Sequence, residues 1–284
     1  MIYNTLLVKY KNSWQLRSYQ FPIKSDLDND LDKYDVFENK GNFEDVENEV
    51  DRAFSLSDSD YHFEGHSAYV SVNRSKNKIF YYARSNDWSN GYFVTLTLDP
   101  AQVDSKDYKS SVECVKKFLK CLRKYDSRIY ALIVPEKHKS GAFHFHGLIH
   151  GDISLLLNYS GHTINGSMIY NFIRAWKYGF SNVTKVQNTL AVEKYICKYT
   201  TKELLNSTLY QHRYFTLNLS EADMVKLNLY EHEELYKELL SCGLVHYCNT
   251  DGLYNRCTYT ELKNSDDVLT IIRKYINMTN EVLN

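Results

Sequence analysis

The sequence predicts an α+β fold, with helices laid against a sheet that is at least partly antiparallel. Three observations predict it. "YFVTLTLDP" (92–100) alternates strictly, "SVECVKKFLKCLRKY" (111–125) repeats apolar residues at helical spacing, and "RIYALIVPE" (128–136) is joined to "AFHFHGLIH" (142–150) by the short turn "KHKSG". The alternating segment puts Phe93, Thr95 and Thr97 on one face and Val94, Leu96 and Leu98 on the other, and Pro100 ends the strand. In the next segment Val112, Val115, Leu119 and Leu122 make an apolar stripe, with Lys116, Lys120, Arg123 and Lys124 elsewhere around the wheel, so the helix turns a basic side to solvent. The two apolar runs read as a hairpin, because a short glycine-containing connection joins neighbouring antiparallel strands. A helix at about 168–178 ("MIYNFIRAWKY"), a strand near "GFSNVTKV" (179–186) and a helix from Thr189 to about Leu205 complete the expected core.

A chain of 284 residues is long enough to bury a core, and 25 tyrosines are many for this length. No run approaches the roughly 18 apolar residues of a membrane span, and the start "MIYNTLLVKYKNSW" lacks the layout of a secretory signal, so a cytoplasmic protein is expected. The six cysteines are scattered, as suits reduced thiols; "CGLVHYC" (242–248) followed by Cys257 matches no common zinc spacing. No GxxxxGK[ST] phosphate loop occurs.

The net charge of -1 hides a segregated distribution: -7 over residues 1–70, +10 over 71–204 and -4 over 205–284. A basic middle between acidic flanks is the pattern of one domain that meets an anionic polymer. It divides the chain into an acidic N-terminal region (1–65), a core domain (66–205) and a C-terminal accessory region (206–284). "SDLDNDLDKYDVFENKGNFEDVENEVD" (25–51) reads as a loose surface segment, and "LYEHEELYKELL" (229–240) as a solvent-facing helix.

Within the basic core, strand alternation sends His144 and His146 to one face and Phe143, Phe145 and Ile149 to the other. Glu136 ends the preceding strand, and antiparallel pairing can bring its carboxylate over the imidazoles. Two nitrogens and one oxygen leave coordination positions open, as in a catalytic metal site, although the same set also suits zinc. His138 and His150 compete for the third position, His150 ranking below Glu136.

In "AVEKYICKYTTKELL" (191–205), Tyr195, Lys198, Tyr199 and Lys202 share an arc of about 100° on a helix. A phenol titrates near pH 10 and is a weak nucleophile unless a cation assists it, a task for which Lys198 is one turn away. Together the two clusters permit attack of a tyrosine on a metal-bound phosphodiester, with DNA left joined to the protein.

These residues resemble the HUH endonucleases, in particular the replication initiators of rolling-circle plasmids and single-stranded DNA phages. "YFVTLTLDP" looks like their first motif, "HFH" (144–146) like the second and "YICKYTTK" (195–202) like the tyrosine-bearing third, in that order. Glu136, eight residues before His144, stands where related initiators often carry an acidic ligand. "VNRSKNKIFYYARSNDW" (72–88) and "VPEKHKSGAFHFHGLI" (134–149) are similar to initiator-related proteins of low-GC Gram-positive bacteria and their phages. The resemblance covers about residues 70–205. It implies a ferredoxin-like core, Mg²⁺ or Mn²⁺ at His144, His146 and Glu136, and nicking of single-stranded or hairpin origin DNA to leave a 5′-phosphotyrosine and a free 3′-hydroxyl. Tyr195 is expected to attack first, with Tyr199 as in two-tyrosine initiators and Lys198 and Lys202 assisting. A host helicase and polymerase would be borrowed, in a bacterial host cell. Two rival expectations are a transposase or mobilisation relaxase of the same superfamily, and a DNA-binding protein that keeps the fold without catalysis; a zinc-binding structural protein is a third.

Overall fold

A computed structural model describes residues 2–11, 13–24, 66–164, 166–197, 199, 208, 211–230, 232–249, 257–262 and 265–282. In chain order the elements are β1 (Ile2–Lys9), β2 (Trp14–Lys24), α1 (His66–Ser85), β3 (Tyr92–Thr97), α2 (Tyr108–Tyr125), β4 (Tyr130–Lys137), β5 (Phe143–His150), β6 (Leu157–Ile164), β7 (Ser167–Phe172), β8 (Ser181–Lys185), α3 (Thr189–Cys197), β9 (Phe215–Leu217), β10 (Asp223–Leu227), α4 (Glu233–Ser241), β11 (Gly243–Asn249), β12 (Cys257–Leu262) and α5 (Ser265–Val282). They form two units, residues 61–220 and residues 1–60 with 221–284. Each has an antiparallel sheet with helices, so the α+β class expected from the sequence is the class observed.

The 61–220 unit carries seven strands in the order β6-β7-β8-β3-β5-β4-β9. β5 pairs antiparallel with both β3 and β4. β3 and β4 are therefore parallel to each other across it, joined by α2, and make a split βαβ unit. α2 starts where the Asp107 side chain accepts a hydrogen bond from the Ser110 amide (2.8 Å), which satisfies an otherwise unpaired N–H of the first turn. Its apolar stripe (Val112, Val115, Phe118, Leu119, Leu122) lies on Val94, Leu96, Ala131, Ile133, Phe145 and Ile149, all buried. Those strand residues alternate with the ones turned to the opposite face, which α3 approaches over β5 and α1 over β4. Gly147 lets β4 and β5 close up: a Cβ there would stand 2.8 Å from the Leu132 carbonyl oxygen and collide with Ile133.

The helix expected at 168–178 is not formed. β7 pairs with β6 instead, and the chain bends after Phe172 so that Trp176 reaches the same core and its indole donates to the Thr97 carbonyl (3.1 Å). Ile169, Phe172, Ala175 and Trp176 are buried at three-residue and seven-residue intervals, the helical signature, yet a strand followed by a bend produces it. The strand is favoured because Met168, Ile169, Tyr170 and Phe172 suit a half-buried pleated surface better than a free-standing helix. Gly179 (φ +150°) permits the return: a Cβ would strike backbone at Thr97, Leu98 and Asp99, whose neighbours bond to Tyr178 and Phe180.

The domain boundaries differ from those expected. The core unit runs to Ser220, because β9 pairs with β4 at Ala131–Ile133. The two flanks, expected as separate regions, are one sheet of order β10-β1-β2-β12-β11, with Leu7, Trp14, Leu16, Leu239 and Leu262 in a shared core that Val268 and Ile272 of α5 complete. α4 confirms a helix in the acidic 229–240 stretch. The 25–51 segment, and the side chains of His246, Cys248 and Cys257, lie outside the described residues. Among the described residues no helix is long and apolar enough to cross a membrane.

Candidate active site

The central position of β5 fixes its two histidines against a neighbour on either side. Thr97 and Glu136 stand opposite His144, while Thr95 and Val134 stand opposite His146. Because the pairing is antiparallel and the alternation is in phase, Thr95, Thr97, Glu136, His144 and His146 share the face opposite α2. The Thr95 hydroxyl meets His146 Nδ1 at 3.1 Å and the Thr97 hydroxyl meets His144 Nδ1 at 3.4 Å. The other nitrogen of His146, Nε2, lies 2.8 Å from Glu136 Oε2. Each ring is thus held at Nδ1 by a hydroxyl, which can donate or accept and so tolerates either tautomer.

α3 delivers the phenols to this face. Tyr199, just beyond the helix end, stacks on His146 with ring centroids 3.5 Å apart and planes 7° from parallel. Tyr195, one turn earlier, meets Tyr199 edge-on at 5.3 Å, and Phe93 of β3 touches both phenols and the imidazole. Tyr199 is buried and Tyr195 half-buried.

The electrostatics follow from this packing. The hydrogen bond to His146 holds the Glu136 carboxyl below its usual range, against the opposing effect of partial burial. Burial, then repulsion from His138 and His146, lowers the pKa of His144 and keeps its imidazole neutral and able to donate a lone pair. Burial, a hydrogen bond to Tyr195 and the negative charge of Glu136 all push the Tyr199 phenol up, so it resists ionisation.

Of the residues singled out from sequence, Glu136, His144, His146, Tyr195 and Tyr199 come together. His138 is on the turn after β4, its ring 5.4 Å from that of His144. His150 stacks on Tyr130 (4.6 Å) at the far end of β5 and does not join them. Lys198 and Lys202 lie outside the described residues. Thr95, Thr97 and Phe93 were legible as one face of their strand but not as partners of the histidines; the shared parity of the first and second motifs is the signal that points to them.

Two imidazoles and a carboxylate on one pleated face suit a divalent ion by donor chemistry, and hydroxyls at both Nδ1 atoms are the kind of second partner that ligating histidines have. Among the described residues no three His, Cys, Asp or Glu groups stand ready to hold an ion as they are, since Glu136 and His146 are closed on each other.

Residues 91–204 match the model of a family of replication-associated proteins, the ORF2 type. That segment runs from the start of β3 through the phenols and contains the whole cluster. Comparison with curated proteins and with solved structures gave no match.

Proposed function

We propose that the chain is a rolling-circle replication initiator whose 61–220 unit nicks and rejoins single-stranded DNA through tyrosine. The observation that carries this reading is the convergence of Tyr195 and Tyr199 on the face of β5 that bears His144, His146 and the partnered Glu136, within the segment similar to a replication-associated family.

Glu136, His144 and His146 would hold Mg²⁺ or Mn²⁺, which when bound supplies positive charge to the phosphoryl oxygens. For that, Glu136 and His146 part, and His146 turns its Nδ1 proton toward Thr95, whose hydroxyl changes from donor to acceptor without losing its partner. Tyr195 is the first nucleophile, because it is the less buried of the phenols and Tyr199 is covered by its stack on His146. Its oxygen bonds to phosphorus as the bond from phosphorus to the 3′-oxygen breaks. The phenolic proton passes to water and the departing oxygen takes one up, so a 5′-phosphotyrosine and a 3′-hydroxyl result and the phosphodiester energy is kept for rejoining. Tyr199 is the second nucleophile, with Lys198 and Lys202 as assisting cations. A single-stranded or hairpin origin, a host helicase and a host polymerase are the partners this role requires.

The test is incubation with single-stranded circular DNA and Mn²⁺, scoring for a protein and DNA adduct that survives denaturation. Chelator, His144→Ala, His146→Ala and Tyr195→Phe are each expected to lower the adduct at least a hundredfold, and Glu136→Ala strongly. An undiminished adduct in chelator, or in Tyr195→Phe combined with Tyr199→Phe, would sink the reading.

A further inference from the structure

A groove of about 650 Å³ lies along the β9 edge of the seven-stranded sheet, between α1 and α2 and away from the histidines. One wall is the exposed side of α2, where Lys116, Lys120 and Arg123 follow one another at helical spacing. Lys116 is tied to Glu113 (2.8 Å), while Lys120 and Arg123 have no acidic partner among the described residues. The opposite wall carries Tyr82 and Tyr214, half-buried, with ring centroids 5.8 Å apart. Among the described residues no Asp or Glu lines the groove.

We propose that this groove is a second site for single-stranded DNA, gripping the strand that flanks the nick without reading its sequence. The proposal rests on the reading that single-stranded DNA is the substrate. Cations on one wall and aromatic rings on the other are what a single strand needs, phosphates on the first and a base face on the second. An acidic peptide would find the charges but gain little from the rings. A strand added to the β9 edge by a second copy would find three residues to pair with, Thr216 among them exposed. The position also fits one continuous strand: Thr216 pairs with Leu132, and Glu136 is four residues further along β4, about 13 Å at strand rise. DNA held in the groove would therefore reach the phenols within a few nucleotides.

The test is fluorescence anisotropy of the full chain with labelled oligothymidylates of 6 and 30 nucleotides over a series of salt concentrations. The wild type is expected to bind the longer one more tightly. Lys120→Glu with Arg123→Glu should weaken that binding at least tenfold and reduce the slope of log affinity against log salt by about 1.4, from two phosphate contacts at roughly 0.7 each. Tyr214→Ala should weaken it on the order of tenfold. If charge reversal lowers the melting temperature, Lys120→Gln with Arg123→Gln serves in its place. Unchanged affinity and slope in these variants overturn the groove. A loss of self-association in sedimentation, with DNA binding intact, also overturns it, in favour of an interface between copies. Failure of the wild type to bind either oligonucleotide strikes at the nicking reading itself.

Discussion

The two faces of the seven-stranded sheet are built by the same strands and do opposite things. On the α2 face, Val94, Leu96, Ile133 and Phe145 are fully buried and bring hydrocarbon out of water, worth about 1.5–3 kcal/mol for each large side chain. On the other face, one residue along each strand, Thr95, Thr97, Glu136, His144 and His146 are ordered by hydrogen bonds whose net contribution is about 1 kcal/mol apiece. The difference teaches that the site does not hold itself in place. Strands pinned from behind by α2 fix the backbone of the histidines, and the polar face is free to be chosen for chemistry.

Substitution behind the site is the harshest test of this division. Phe145, between the two histidines in sequence and opposite them in space, is fully buried against α2's core. Phe145→Ala is expected to lower unfolding free energy by about 3–5 kcal/mol in urea titration, and activity should fall in step with the folded fraction. Gly147→Ala comes next, at about 1–3 kcal/mol, because the added methyl meets the Leu132 carbonyl and Ile133 where β4 and β5 approach. Here activity should fall further than stability, since the same shift moves His146 relative to Glu136. Equal losses would show that the two faces are less coupled than the packing implies.

How much of this was written in the sequence depends on how local each feature is. β3, α2 and the β4–β5 hairpin were legible because a period or a turn residue announces each, and the faces of Thr95, His144 and His146 followed from alternation alone. The β6–β7 hairpin was not, since the spacing of Ile169, Phe172 and Trp176 satisfies a helix as well as a strand that bends. The five-stranded sheet was illegible for a different reason: β1 and β2 find β10 and β12 about 200 residues away, and no local pattern encodes that pairing. At the site, the sequence supplied the ligand types. It could not show that Glu136 and His146 bond to each other, which depends on register.

Thr95→Val addresses the polar face without disturbing its shape. Valine matches the threonine volume but removes the hydroxyl at His146 Nδ1, so the ring loses the partner that tolerates both tautomers. The expected cost is about 1 kcal/mol in stability and 10-fold to 100-fold in Mn²⁺ affinity or adduct yield. Thr95→Ser should recover most of the loss. If valine and serine behave alike, the hydroxyl is packing and not positioning.

The smallest effect expected is a pH dependence of stability in the presence of chelator. The folded-state pKa of Glu136 is depressed by its hydrogen bond to His146, so its contribution is present above the unfolded carboxyl value and fades as pH falls through the folded one. His144 is also depressed, by burial and by His138 and His146, and for a base this means the unfolded chain takes up the proton first as pH falls below about 6.5. Both groups therefore act in one direction, and stability should decline from pH 7 to pH 4. Urea midpoints followed by the fluorescence of Trp88 and Trp176, in a Trp14→Phe background, separate them. His144→Gln should flatten the upper part of the decline and Glu136→Gln the lower part. A midpoint that rises on acidification would mean that the polar face gains from protonation, which contradicts a neutral imidazole beside a bonded carboxylate.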